Sequence, residues 1–354
     1  MTVLTARRSR GAGPTASDVF VLQSLRAAPA VSVLMTTPSP TTAIDLSSRL
    51  GRLVDDAERR LRLEAPVGVA DRVAEGLRAM AAEAAQTATR AALALYAADS
   101  VSTWFTLPVA VRDRVAVDPT FATRDLVRSL HRTPLHALLV LTADEARLFQ
   151  GADEALVPVA PHRFPIRADT FPGTGAFLRA VDSALTAHLR ARPSPVVLTG
   201  VERLTADFLR RSRATTRWAG TVPGSHLHRS LDELVALTRP VLERYLRSRE
   251  EESLRVLADT PSRRVASGLD AVWLASRSER PEMLVVEDDL FQPARVSDDG
   301  DHLLPADDPE APDVLDDAVD EVIEVVLRRG GWVALASTGR LAAHGGIALT
   351  VRDL

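Results

Sequence analysis

The 354-residue sequence predicts an α/β protein made of three α/β domains. Two observations carry that prediction, and a third bears on partners. Short apolar runs of strand length alternate with longer segments whose apolar residues recur every three to four positions, which is the alternation of an α/β fold. The length suits two or three domains of roughly 100–200 residues each. Net charge also divides the chain: residues 1–130 and 131–260 each carry +3, whereas residues 261–354 carry −10. A near-neutral total of −4 therefore hides a dipolar layout, which reports on partners and not on fold.

Residues 1–17 hold Arg7, Arg8 and Arg10 with no apolar core behind them, so they read as a disordered tail and not a signal peptide. The N-terminal domain is expected over 18–130. Asp18 can cap a short helix through Leu25, and Ala30–Thr36 reads as a buried strand. Thr42 opens a helix with Leu46, Leu50, Val54, Ala57 and Leu61 on one stripe, ended by Pro66. The alanine-rich stretch from Asp71 to Ala98 reads as a second long helix because alanine has the highest helix propensity. Val101–Leu107 and Arg114–Val117 read as strands, and Thr123–Leu130 as a helix.

The middle domain is expected over 131–260. Leu135–Leu141 is apolar on both faces, as in a strand covered from either side. Ala146–Gln150 and Ala155–Val159 suit antiparallel partners. A proline-rich loop, 161–172, leads to a helix with Phe177, Leu178, Val181, Leu185 and Leu189 on one face. A strand at Val196–Thr199, a helix over Leu204–Arg213 and a strand at Arg217–Val222 follow. Ser230-Leu-Asp-Glu233 is a capping box starting a helix that reaches about Leu257. In the C-terminal domain, 261–354, a helix is expected over Val265–Ala275, a strand at Met283–Glu287 and an acidic mobile loop at 297–312. A strongly patterned helix from Leu315 to Leu327 then stops at Gly330, and Trp332–Ser337 and Gly346–Val351 are strands.

Composition excludes much chemistry. All 43 basic residues are arginine, and lysine, asparagine and cysteine are absent. There is thus no Walker-type phosphate loop, Schiff-base lysine, disulfide, thiol nucleophile or cysteine-ligated zinc. Codon bias toward G/C-rich codons accounts for the missing lysine and asparagine. No apolar run approaches the roughly 18–20 residues of a membrane span, so a cytoplasmic protein with no membrane partner is expected. No cofactor and no metal are expected either. His226-Leu-His228 is the best metal candidate but lacks a third ligand and reads as a solvated loop. His136 and His188 read as structural, and the acidic pairs Asp288-Asp289 and Asp298-Asp299 as loop residues.

Two features point to anions. Pro172-Gly-Thr-Gly175, just before a helix, can present backbone N–H groups to a phosphate, although a flexible loop at a helix start is the simpler reading. Arg203, Arg210, Arg211, Arg213 and Arg217 form a cluster in which Arg203, Arg210 and Arg213 share a helix side and Arg217 starts the next strand. Guanidinium groups hold phosphates bidentately, which suits an RNA backbone. The alternative is an ordinary solvated face paired with Asp207 or Glu202.

The order of motifs in the last third supports a family resemblance. Gly268-Leu-Asp-Ala-Val272, Met283-Leu-Val-Val-Glu287, the Asp316-Asp317 helix, Arg329-Gly-Gly-Trp-Val333 and Gly346-Ile-Ala-Leu-Thr-Val351 follow one another. This resembles the C-terminal domain of the archaeal and eukaryotic class-one peptide-chain release factor and of Pelota, an L7Ae-like fold. Leu135–Val222 is similar to the release factor's middle domain. With Val31–Met35 and the run Val101–Pro108, the chain resembles the bacterial archaeo-eukaryotic release factor-like proteins, family 3 of them. The resemblance implies a translation-related factor that enters the ribosome at an rRNA or tRNA site, with roles in hibernation, rescue or conflict. It places the peptide-release loop at about 163–177, where Arg163, Arg167, Gly173, Thr174 and Gly175 stand but no Gly-Gly-Gln does. The codon-reading motif needs Asn and Lys, which the chain lacks. The expectation is therefore a non-catalytic, ribosome-associated RNA-binding factor whose acidic C-terminal domain meets a basic ribosomal protein or translation factor. Two alternatives are a peptidyl-tRNA hydrolase or RNA-cleaving enzyme using the degenerate loop with Arg163, Arg167 and Thr174, and a protein-interaction scaffold indifferent to RNA.

Overall fold

A computed structural model describes residues 11, 13–37, 42–87, 90–133, 135–152, 155–159, 164–213, 218–306, 311 and 313–353. It is a mixed α/β structure with three main sheets, one in each expected domain. Contacts group residues 1–132 with 250–354 in one unit and leave 133–249 as the other. That grouping differs from the three-way division at 18–130, 131–260 and 261–354. The reason is a shared apolar core: Leu34, Tyr96, Phe105 and Leu126 belong to one cluster with Val272, Val286, Val322 and Ile323.

In the first unit, β1 (Ala30–Thr36), β2 (Ala92–Ala98), β3 (Val101–Leu107) and β4 (Arg114–Asp118) form an antiparallel sheet in the order β3-β2-β1-β4. Alternation sends Val31, Val33 and Met35 toward α2 (Ala43–Glu64) and α3 (Val67–Ala84), and Ala30 and Leu34 to the shared core. The expected helix to Ala98 ends instead at Ala84, and Ala92–Ala98 is the strand between β1 and β3. All seven residues of that strand are buried, so tertiary placement overrides the helix propensity of alanine. The first helix, α1 (Ala16–Ser24), is capped by Thr15, with Asp18 completing a capping box as the third residue and not as the cap itself. The last N-terminal element is α4 (Arg124–Arg132).

The same unit holds the C-terminal sheet: β11 (Val265–Ser267), β12 (Pro281–Glu287), β15 (Trp332–Ala336) and β16 (Ile347–Val351), in the order β11-β16-β12-β15. α8 (Leu269–Ser278) and α9 (Ala318–Arg328) cover the face toward the shared core. The expected helix over Val265–Ala275 is thus a short edge strand followed by a helix. The expected loop at 297–312 includes β14 (Leu303–Pro305), which pairs with β13 (Ala294–Val296). α9 starts at the Asp317 cap, later than Leu315, and Gly330 closes it at φ 78°.

The second unit has the sheet order β10-β9-β5-β6-β7, with β5 (His136–Leu141), β6 (Glu145–Ala152), β7 (Ala155–Pro158), β9 (Val196–Gly200) and β10 (Trp218–Pro223). β5, β9 and β10 run parallel, and β6 and β7 antiparallel; the two-residue β8 (Ile166–Arg167) pairs with β6. α5 (Thr174–Ala191) and α6 (Glu202–Arg211) pack on one face through Phe177, Val181, Leu185 and Phe208. The start of α7 (Leu231–Asp259) covers the other through Leu234 and Val241. Among the described residues no helix is long and apolar enough to cross a membrane.

Candidate nucleic-acid interface

Packing of α5 against α6 brings the two sequence-derived candidates, the loop and the arginine cluster, to one place. Gly173 is the N-cap of α5 at φ 118°, where a side chain would be strained, and no side chain caps this helix end. The Ala176 N–H bonds to the Gly173 carbonyl at 3.1 Å, and the N–H groups of Thr174 and Gly175 stand at the positive end of the helix dipole. Gly173 and Thr174 are exposed. Gly175 faces two guanidinium groups: a Cβ there would lie 3.6 Å from Arg179 Nη1 and 3.9 Å from Arg211 Nη1. Sequence reasoning singled out Arg211 but missed Arg179. The available signal was spacing, because Arg179 stands four residues after Gly175 and so one turn away on the same face of α5.

Arg203 and Arg210 are exposed and two turns apart on α6, as the cluster requires. Arg210 Nη2 and Arg211 Nε both donate to Asp207 Oδ1, at 3.2 and 2.9 Å, and these bonds, that from Arg211 foremost, hold the Asp207 carboxyl below its usual range. Arg210 and Arg211 thus take the Asp207 partner that the alternative reading named. Arg213 does not share the helix side, because α6 stops at Arg211 and Ser212 turns to extended backbone. Asp182 of α5 accepts from the Ser212 hydroxyl at 2.6 Å and from the Arg213 N–H at 3.2 Å, fastening the end of α6 to α5. Arg167 closes β8 with an exposed side chain. Arg163 and Arg217 lie outside the described residues.

The histidines take structural places. His188 Nε2 lies 2.9 Å from Gln150 Oε1, and Gln150 Nε2 donates to the His136 carbonyl at 2.8 Å. Gly151 leaves room for the His136 ring, since a Cβ there would stand 2.1 Å from Nε2. His226 Nε2 lies 3.0 Å from the Pro223 carbonyl. Among the described residues no group of three or more His, Cys, Asp or Glu is placed to hold a metal ion.

Residues 172–280 match the model of bacterial archaeo-eukaryotic release factor family 3. That segment is similar to the release-factor-like family. The matched segment begins at Pro172, one residue before the α5 cap, and ends just past α8. It therefore includes Gly173, Thr174 and Gly175 of the degenerate loop position and the α6 arginines, but not Arg163 or Arg167. Among solved structures, an archaeal Pelota in a model of ribosome-bound Pelota and ABCE1 is 15% identical, with 97% of this chain and 95% of that one covered and a TM-score of 0.46. Dom34 of S. cerevisiae, a translation termination-like factor, is 14% identical over 73% and 74%, with a TM-score of 0.44. Archaeoglobus fulgidus Pelota is 19% identical over 73% and 79%, with a TM-score of 0.33. No curated protein matches the chain.

Proposed function

We propose that the chain is a ribosome-associated translation factor with a role in hibernation, rescue or conflict, and that it binds RNA without releasing peptide. The observation that carries this reading is the family match over residues 172–280, which contains the anion-facing start of α5 and the exposed arginines of α6. Arg203, Arg210 and Arg211 would contact rRNA or tRNA phosphates, with Arg179 beside them. Their intrachain pairing does not oppose this. An exposed ion pair contributes only about 0.2–1 kcal/mol, so a phosphate can replace Asp207 on Arg210 or Arg211. Where release factors carry Gly-Gly-Gln, this chain has Pro172-Gly-Thr-Gly175, which offers backbone N–H groups but no glutamine amide. A charge-complementary contact of the acidic C-terminal segment with a basic ribosomal protein or translation factor belongs to the same proposal.

Co-sedimentation of the protein with ribosomes across a salt series tests it. Association is expected at low salt and should weaken steeply as salt rises, because binding through phosphates releases counterions. Absence of association at low salt would sink the proposal. Turnover of peptidyl-tRNA by the purified protein would overturn its non-catalytic part.

A further inference from the structure

Part of the negative charge of residues 261–354 is turned inward, at Asp316, Asp317, Asp320 and Glu324. Arg114, at the start of β4, donates from Nη1 to Asp125 of α4 at 3.2 Å, and its Nε stands 2.9 Å from Asp316 Oδ2. Arg124 Nη1 donates to Asp317 Oδ2 at 2.7 Å, and its Nη2 to the Asp288 carbonyl at 3.0 Å. Arg26 pairs with Glu324, and Arg132 with Asp288. Thr120 donates to Glu321 at 2.8 Å, and Thr123 to Asp320 at 3.4 Å. Each of these contacts except Arg114–Asp125 joins the N-terminal segment of the first unit to its C-terminal segment. Asp125, Asp316, Asp317 and Asp320 are each more than nine-tenths buried. Beside them lies a cavity of about 220 Å³ lined by Arg26, Asp118, Thr120, Asp316, Asp320 and Glu321.

Carboxylates outnumber guanidinium groups here. Four buried aspartates meet Arg114, Arg124 and, at Asp125, Arg128, while Asp118 and Glu321 add to the cavity that Arg26 also lines. An uncompensated carboxylate in such surroundings takes up a proton instead of remaining charged. We propose that this interface is a proton-operated clasp: with protons on Asp118 and Asp320 it holds residues 13–132 against residues 250–353, and loss of those protons loosens the two segments.

The groups facing each carboxylate set the direction. Asp118 faces Asp316 and Glu321 at the start of α9, and Glu64 and the cation Arg60 on α2. Burial first, and then the three acids, push its carboxyl up to about 7. Asp320 faces Asp317 and Glu321 on its own side and Arg114 and Arg124 from the N-terminal segment; burial raises it well above the usual carboxylate range. Asp316 is raised too, by burial foremost, against the opposing pull of Arg114. A carboxylate whose folded value is raised stabilises most below its unfolded value and loses that contribution as pH rises through the folded value. The Asp118 part of the clasp is therefore at full strength below about pH 4, weakens between about 4 and about 7, and is gone above. Asp320 is raised by burial as well, so both carboxylates contribute to the opening.

The chain contains no cysteine, so labels can be placed without background. Ala79→Cys on α3 and Ala343→Cys before β16 put a donor and an acceptor dye on exposed positions of the two segments of the full-length protein. Energy transfer read from about pH 4 to about pH 9 should be high at the acid end and fall reversibly, its first step complete by about pH 7, with far-ultraviolet circular dichroism unchanged. Asp118→Asn should remove that first step, and Asp118→Asn with Asp320→Asn should hold transfer high throughout. Flat transfer in the parent protein overturns the clasp, as does a fall accompanied by loss of the dichroism signal. An unchanged first step in Asp118→Asn overturns it equally, and that single variant decides the matter if the double variant does not fold.

Discussion

Arginine performs opposite tasks in the two units, and the difference is one of burial. In the first unit, Arg124 and its partner Asp317 have side chains only 7% and 1% exposed, and they connect residues far apart in the chain. In the second, Arg210 and Arg211 are 69% and 50% exposed and share Asp207, three and four residues away on the same helix. The chain has no lysine, so one side-chain type supplies both the interior ion pairs and the solvated patch. Buried guanidinium groups are committed to fixed partners because their partners cannot turn to water. Exposed ones keep weak partners and stay available to a polyanion.

The largest effect separating the two regions is expected on stability. Arg124→Ala leaves Asp317 buried without its cation, and breaking such a pair costs about 3–5 kcal/mol. Denaturant unfolding of the full chain should show that loss in the first unit. Adding Asp317→Leu to Arg124→Met should recover most of it, because replacing both partners removes the stranded charge. A loss below about 1 kcal/mol for Arg124→Ala would place that pair in the same class as the exposed ones.

The second effect is on binding. Arg203→Ala, Arg210→Ala and Arg211→Ala combined should leave unfolding within about 0.5 kcal/mol for each site, as exposed substitutions do. The same triple variant should reduce the salt dependence of single-stranded RNA affinity by a slope of about 2, since each lost phosphate contact removes about 0.7. Unchanged RNA affinity would reduce the patch to a solvated helix face paired with Asp207.

Local pattern made much of this legible. The stripe of α2, the two-sided apolar run of β5, the capping box at Ser230 and the stop at Gly330 all follow from residues within one or two turns of each other. Ala92–Ala98 failed that test because alanine is neutral in pattern and its helix propensity yields to a central strand position. The arginine patch was visible because Arg203 and Arg210 are seven apart on one helix. Its neighbour Arg179 required knowing that α5 lies against α6. The clasp was the least visible feature: Arg124 and Asp317 are 193 residues apart, and no spacing rule links them. The −10 excess signalled that acids in the last third needed cations, but not that the chain itself supplies several of them.

The smallest expected effect probes the boundary between the two behaviours. Asp118 ends β4 at the cavity, half-buried, with Asp316, Glu321 and Glu64 around it and Arg60 as the opposing cation. Its carboxyl, raised to about 7, is neutral in the folded chain at mildly acid pH and charged among like charges above that. Asparagine keeps the shape and carries no charge at any pH. Since a raised carboxylate loses its stabilising contribution as pH rises through the folded value, the parent protein should lose stability relative to Asp118→Asn across about pH 4 to 7. The gap should then stay level at about 1–2 kcal/mol, below what the full shift implies because solvent reaches part of the side chain. Urea unfolding of both proteins at a series of pH values measures it directly. A gap that does not change with pH would mean that Asp118 titrates as a solvated surface group, and the buried interface would then end at Asp316.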